Sequence, residues 1–298
     1  MAFDPQRLMR IATIASMTVA LVLIGAKAAA WLATESVSML SSLVDSALDF
    51  VASLVTFLAV RQALVPADAD HRFGHGKAEA LAGLAQAGFI AASGGGLLLT
   101  VGDRILHPHQ IQREAIGLAI SGLAIVLTLG LVLFQHHVVK RSGSIAISAD
   151  KAHYATDLVS NVAVGVAIFL SGTFDQPMID AGMAAVVALY LVRGAWLVGR
   201  DSLDVLMDRE LPEADRSRIA DIARADPDVR DVHDLKTRSA GLTKFIQLHI
   251  ELDPALPLVG AHEIGDRVEA ELQRAFPDAE IILHVDPYGV FEPRQAIA

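Results

Sequence analysis

The sequence predicts a polytopic α-helical membrane protein with a small α+β domain at its C-terminal end. The 298 residues are 53% hydrophobic and only 19% charged, and the mean hydropathy is +0.46. Both values are typical of proteins with several membrane spans. Apolar residues gather in long runs within residues 1–208, a predicted six-helix transmembrane domain, whereas residues 209–290 have the composition of a soluble domain. Residues 291–298 are expected to form a disordered tail.

Six runs of the chain satisfy the requirement of about 20 mostly apolar residues for a membrane-spanning helix. They lie at residues 8–33, 36–61, 77–105, 113–138, 146–171 and 178–202. The first run lacks the short apolar region and small-residue cleavage site of a secretory signal, so we interpret it as the first spanning helix. The third and sixth runs are rich in small residues, which let helices pack closely in lipid.

The basic residues of the short loops predict the orientation, because loops rich in Lys and Arg stay on the cytoplasmic side. One side collects Arg7, Arg10, Arg61, Arg72, Lys77, Lys140, Arg141, Lys151, Arg200 and Arg209. The other side has only Arg104 and Arg113. We therefore expect both termini and the C-terminal domain to be cytoplasmic.

The C-terminal segment alternates between helical and strand patterns. Helical spacing covers 213–225 and 259–276, and strand patterns cover 229–239, 242–253 and 279–285. The order α-β-β-α-β predicts a small sheet covered by helices on one face, of the ferredoxin-like or metallochaperone-like type.

The composition also excludes several classes of function. The chain has no cysteine and 11 histidines, so any metal must be held by His, Asp and Glu rather than by thiolates. Residues 209–298 hold 18 acidic and 11 basic residues, and this balance argues against a nucleic-acid partner. An enzyme is disfavoured. A zinc hydrolase needs an open coordination position with a general base beside it, and no such acid/base group accompanies the residues that could hold a metal. No cofactor is expected.

Two stretches, SSLVDSALD and ADKAHYATD, carry the functional signal. Each places two metal-competent side chains four residues apart, Asp45 with Asp49 and His153 with Asp157. In a helix such pairs point in one direction, and ionisable groups at bilayer depth usually face an internal pathway. The quartet predicts an intramembrane divalent-metal site. The alternative is a set of buried groups that bond to serines of neighbouring helices.

The charges of this quartet indicate how transport would be driven. Three carboxylates around a divalent ion leave about −1, whereas the empty site would carry about −3 and take up protons. Protons and metal therefore compete for one site. If the site opens alternately to each side of the membrane, the competition makes an antiporter.

Two further sets of candidate ligands lie outside the apolar runs. The loop ADADHRFGHGKAE offers Asp68, His71 and His75, although a solvated loop with incidental histidines explains it equally well. The soluble domain offers His233, His249, His262, His284 and Asp286 at the ends of its predicted elements. We interpret the set in the soluble domain as a regulatory or dimer-bridging metal cluster.

The chain contains the stretches SVSMLSSLVDSALD, PADADHRFGHGKAEALAGLAQ and SIAISADKAHYATDLVSNVAV. These three motifs resemble those of the cation diffusion facilitator family, in its bacterial YiiP-like branch of ferrous-iron efflux and zinc transporters. The resemblance implies a homodimer in the bacterial inner membrane that exports zinc, cadmium or ferrous iron by proton antiport. It implies a transport site at Asp45, Asp49, His153 and Asp157, a loop site at Asp68, His71 and His75, and a binuclear site at His233, His249, His262, His284 and Asp286.

The same resemblance disfavours manganese, because members devoted to that metal tend to lack the histidine of the transport site. The chain departs from many relatives at Val285, which has no polar side chain to offer a metal. A different class of function is a membrane-anchored zinc sensor or scaffold that binds metal without moving it. It predicts that alanine at Asp49 and Asp157 would leave the cellular role intact.

Overall fold

The structure is a computed structural model that describes residues 4–106, 115–174 and 178–290. The chain divides into two compact units, Met1–Leu206 and Met207–Ala298. The predicted tail at 291–298 lies outside the described residues.

Long helices build the first unit. They are α1 (Pro5–Thr34), α2 (Val37–Ala63), α3 (Ala78–Leu106), α4 (Ala115–Ser142), α5 (Ile145–Phe174) and α6 (Met178–Leu206). Within the described ranges, five of them are long and apolar enough to cross a membrane, and α5 is the exception. The role of α5 as a sixth span stays a prediction.

Local sequence explains how the first helix begins and ends. Asp4 caps α1 by accepting a hydrogen bond from the backbone N–H of Gln6 at 3.0 Å, and Pro5 occupies the first turn. Proline is tolerated there because its missing N–H would have no helical partner. At the other end, Glu35 adopts a left-handed conformation with φ of 52°, and its N–H bonds to the carbonyl of Trp31.

Helices α3 and α6 make the most extensive contact of the first unit, and two glycines lie within it. A Cβ on Gly83 would lie 2.1 Å from Oγ of Ser202, and a Cβ on Gly94 would lie 3.2 Å from Cβ of Leu191. By contrast, Gly95 has no such neighbour within 4 Å. Close helix packing therefore depends on particular glycines of the small-residue run.

The second unit has the predicted order of elements. They are α7 (Glu213–Arg224), β1 (Asp231–Ala240), β2 (Thr243–Leu252), α8 (Leu258–Ala275) and β3 (Ala279–Pro287). Strand β2 lies in the middle of the sheet, antiparallel to β1 and parallel to β3. The helices cover an apolar core that includes Ile219, Ile246, Leu248, Ile250, Val268 and Leu272.

The register of the sheet aligns three histidines across three strands. His233 on β1 is paired with His249 on β2, and His249 is paired with His284 on β3. The register shifts between His233 and Lys236, and Asp234 within this bulge has φ of 47°. A bulge re-aims the side chains beside it, and this bulge begins directly after His233.

Candidate metal centres

The first candidate centre lies between α2 and α5. The Nε2 atom of His153 is 3.3 Å from Oδ1 of Asp49 and 3.6 Å from Oδ2 of Asp157. Each of the three residues offers a ligand atom within 4.8 Å of the others. The side chain of His153 is 5% exposed, whereas those of Asp49 and Asp157 are 24% and 29% exposed. The imidazole of this group is therefore buried, whereas the carboxylates of Asp49 and Asp157 remain partly accessible.

Within the described part of the chain, this group retains unused ligand capacity. Neither Nδ1 of His153 nor Oδ2 of Asp157 has a hydrogen-bond partner. A buried polar atom without a partner is unfavourable, and a cation between the carboxylates would satisfy Oδ2 of Asp157.

The structure does not bring Asp45 into this group of three. Asp45 is an exposed residue of α2, and it precedes Asp49 by one turn. Four residues of helix rise about 6 Å, so a site centred on His153 reaches the nearer carboxylate of the pair first. The ligand role of Asp45 stays a prediction.

A buried polar network that we did not predict lies one turn from the group. Asp150 on α5 is 1% exposed. Its carboxylate accepts hydrogen bonds from Oγ of Ser16 at 2.6 Å, from Nε2 of Gln135 at 2.6 Å and from Nε2 of Gln86 at 3.2 Å. These donors belong to α1, α4 and α3, so one carboxylate ties four helices together. The feature of the sequence that could have indicated this network is the acidic residue Asp150 within the stretch ADKAHYATD.

Gln86 also links the two helices that carry the ligands. Its Nε2 lies 3.1 Å from the carbonyl oxygen of Ala52 and 2.9 Å from Oγ1 of Thr56, both on α2, as well as near Asp150 on α5. Ala52 follows Asp49 by three residues, and Asp150 precedes His153 by three. The amide therefore holds α2 and α5 in register one turn from the candidate ligands.

The second candidate centre lies in the loop between α2 and α3. Asp68 Oδ1 is 3.3 Å from Nδ1 of His71, and its Oδ2 is 3.4 Å from Nε2 of His75. The backbone N–H of His71 donates to Asp68, and together with the N–H of Asp70 it lowers the pKa of that carboxyl. Asp68 therefore presents an ionised carboxylate to both imidazoles.

The third candidate centre surrounds Asp286 on the sheet of the second unit. Its Oδ2 lies 2.8 Å from Nδ1 of His249 and 3.4 Å from Nε2 of His233, and its Oδ1 lies 3.0 Å from Nε2 of His284. Asp286 follows His284 by two residues, so both side chains leave the same face of β3. Four of the five predicted residues therefore meet at one place.

His262 is the predicted residue that the structure keeps apart from this cluster. Its Nδ1 lies 3.6 Å from Oδ1 of Asp266, one turn further along α8, and its side chain is 75% exposed. Its ligand role stays a prediction. Glu251 is an additional neighbour that we did not predict, with Oε1 3.4 Å from Nδ1 of His233.

Comparison with known proteins covers both units. Residues 13–207 match the family model of the cation efflux transmembrane domain, and residues 211–288 match that of the cation efflux protein cytoplasmic domain. The cation-efflux pump FieF of Shewanella oneidensis is 46% identical over 281 residues, covering 94% of this chain and 95% of that protein. FieF of Pectobacterium atrosepticum is 44% identical over 289 residues, covering 97% and 96%.

Part of the chain is also similar to a solved structure. The metal-bound C-terminal domain of the CzcD transporter from Thermotoga maritima is 26% identical, with a TM-score of 0.26, and the match covers 28% of this chain and 100% of that one. The matched family consists of transporters, not enzymes, and its cytoplasmic domain is the dimerisation domain. The chain therefore belongs to the cation efflux, or cation diffusion facilitator, family of multi-span membrane transporters.

Proposed function

We propose that the protein exports zinc and cadmium, and also ferrous iron, from the cytoplasm in exchange for protons. The proposed transport site comprises Asp45, Asp49, His153 and Asp157. The observation that carries the proposal is the meeting of Asp49, His153 and Asp157 between two helices of the membrane unit. Three carboxylates and one imidazole suit these divalent cations.

The proposed assembly is a homodimer in the bacterial inner membrane. Each chain spans the membrane six times, with both termini and the 209–290 domain in the cytoplasm. The basic loops on one side support this orientation. Lipid, divalent cations and protons are the partners in this proposal, and nucleic acid is not.

Charge balance couples the two fluxes in the proposed cycle. A divalent ion offsets two of the three carboxylate charges, and the empty site takes up protons instead. The 3.3 Å separation of His153 Nε2 and Asp49 Oδ1 supports this exchange. An imidazole nitrogen and a carboxylate oxygen attract each other only when a proton or a metal cation lies between them. A bound metal ion therefore displaces the proton, and a bound proton displaces the metal ion. In the loaded state, Asp45 would join from the preceding turn of α2.

The two other centres have separate roles in the proposal. The loop ligands Asp68, His71 and His75 bind metal near the cytoplasmic end of α3. The cluster of His233, His249, His284 and Asp286, with His262, binds cytoplasmic metal and ties the two soluble domains of the dimer together. Metal at this cluster then favours the transport-competent arrangement.

A flux measurement in sealed proteoliposomes with an internal pH dye tests the transport proposal. Zinc added to one side should move protons in the opposite direction through the native protein and not through Asp49→Ala. Asp201→Ala, an exposed carboxylate at the end of α6, is the matched control and should transport normally. Repeating the measurement with cadmium, ferrous iron and manganese ranks the substrates.

The same experiment distinguishes the sensor alternative. Zinc binding without zinc or proton flux in either protein would support a membrane-anchored sensor and contradict transport. Zinc flux without proton flux would contradict only the antiport.

For the cytoplasmic cluster, replacing His233 and His284 with alanine should weaken the dimer and the zinc dependence of transport. Unchanged values would show that the cluster has no regulatory role.

A further inference from the structure

Lys27 is a charged residue in the apolar helix α1 that the proposed cycle does not yet use. It is the only basic residue between Arg10 and Arg61, and its side chain is half-buried. A lysine within a spanning helix is unfavourable unless its ammonium pairs or reaches an internal polar site. The position of its ammonium therefore indicates what it does.

Helix α2 holds the ammonium of Lys27 beside the candidate transport site. The Nζ atom donates to Oγ of Ser46 at 2.6 Å and to the carbonyl oxygen of Ser42 at 3.1 Å. Ser46 directly follows Asp45 and precedes Asp49 by three residues. Because residues three apart are neighbours on a helix, the anchor lies within one turn of both acidic residues.

The charge of Lys27 acts on the site through space. It interacts electrostatically with the carboxylates of Asp49, Asp45 and Asp157. Neither of its two described hydrogen bonds goes to a carboxylate, so it leaves their oxygen atoms free for a metal. A fixed positive charge nearby reduces the negative potential that an incoming cation meets, and the effect doubles for a divalent ion.

We propose that Lys27 is a tethered counter-cation that sets the metal affinity of the transport site. This inference rests on the proposed function of that site. In the empty protein the ammonium offsets part of the carboxylate charge. In the loaded protein it repels the metal and promotes release. Because the side chain is covalently attached and cannot leave with the cargo, it weakens binding in every cycle.

Zinc binding to the full-length protein in lipid nanodiscs tests this role. The measurement uses Asp68→Ala and Asp286→Ala as a background that removes the two other candidate centres, at fixed pH and ionic strength. Lys27→Met should tighten zinc binding by about tenfold, because it removes a unit charge near a divalent ion. Lys27→Arg should restore the weaker affinity. Lys140→Met makes the same chemical change at an exposed residue of α4 and should alter nothing.

A second variant separates the charge from the hydrogen bond. Lys27→Gln is neutral but keeps an N–H donor for Ser46, so it should fold even where methionine does not, and it should also tighten binding. A merely structural role predicts instead that both neutral variants bind zinc with native or weaker affinity. That result would overturn the inference about Lys27.

The design also tells this inference apart from the proposed function. In the same background, Asp49→Ala should abolish zinc binding. If it does, and Lys27→Met leaves the affinity unchanged, the transport site stands and the role of Lys27 is wrong. If Asp49→Ala binds zinc as the background protein does, the transport site itself is wrong, and the role of Lys27 falls with it.

Discussion

The Nε2 atom of His153 lies 3.3 Å from Oδ1 of Asp49, although 104 residues separate the two in the chain. The contact joins the first and second halves of the membrane unit at one imidazole. It also gives the candidate site a single nitrogen ligand among carboxylates. The identity of this one atom therefore has a strong influence on which metals the site accepts.

Replacing the imidazole with a carboxylate should change metal selectivity. His153→Asp creates an all-oxygen site, and oxygen ligands suit manganese better than zinc because they are harder donors. We expect zinc flux to fall by about tenfold or more and manganese flux to rise. Competition assays in proteoliposomes measure the ratio, with Asp201→Ala as the control. An unchanged zinc-to-manganese ratio would show that His153 does not bind the transported ion.

Removing the carboxylate of Asp150 should destabilise the helix bundle. Asp150→Ala removes the acceptor that Ser16, Gln86 and Gln135 share. Ser16 keeps the carbonyl of Ala12 as an acceptor, and Gln86 keeps Ala52 and Thr56. Each donor hydrogen that is left without a partner costs about 1–3 kcal/mol. Thermal unfolding in detergent micelles should shift to lower temperature. Asp150→Asn retains an acceptor oxygen and should lose less. Equal loss in both variants would show that the negative charge, rather than hydrogen bonding, stabilises the network.

The sequence predicts contacts between residues that are close in the chain better than contacts between distant helices. Helix periodicity is local, so the pairing of Asp45 with Asp49 and of His153 with Asp157 follows from spacing alone. Which member of each pair meets the other helix depends on packing, and the structure selects Asp49 over Asp45 for contact with His153.

The same limit explains the partners that sequence analysis missed. Gln86 and Gln135 are unremarkable polar residues until helix packing brings both to Asp150. In the cytoplasmic unit, the strands were predictable from the local residue pattern. The alignment of His249 with His284 required the strand register, which spacing along the chain does not specify.

Zinc should stabilise the cytoplasmic unit through Asp286. The carboxylate contacts three imidazoles, so Asp286→Ala removes the group that they share. For the 207–298 fragment, which has its own hydrophobic core, zinc at 100 times its dissociation constant should add about 2.7 kcal/mol to the free energy of unfolding. The variant should gain much less. His262→Ala tests the separate residue, and an effect as large as that of Asp286→Ala would place His262 in the metal site.

The pair of Asp226 and Arg267 should make the stability of the same fragment depend on pH. The guanidinium donates to both oxygens of Asp226 at 3.0 Å, and this lowers the pKa of that carboxyl. A lowered folded-state pKa means that the pair contributes stability above the unfolded value of about 3.9. That contribution disappears as the pH falls through the folded-state pKa.

Asp226→Asn therefore should unfold more easily than the native fragment at pH 7, and the two should converge once the pH falls below the folded-state pKa of Asp226. Urea unfolding at a series of pH values measures the difference. Asp253→Asn, an exposed carboxylate of the loop after β2, is the control. A difference that persists unchanged in acid would mean that the substitution acts through packing rather than through charge.

Close contact between α3 and α6 should make Gly83 intolerant of a methyl group. A Cβ there would lie 2.1 Å from Oγ and 3.2 Å from Cβ of Ser202, so the helices must shift or the serine must change rotamer. Overpacking of this kind costs about 1–3 kcal/mol, and Gly83→Ala should lower the unfolding temperature in micelles. Adding Ser202→Ala removes the nearer atom and should recover most of the loss. Gly95→Ala, with no such neighbour within 4 Å, should be tolerated. Equal behaviour of Gly83→Ala and Gly95→Ala would mean that α3 and α6 do not meet at Gly83.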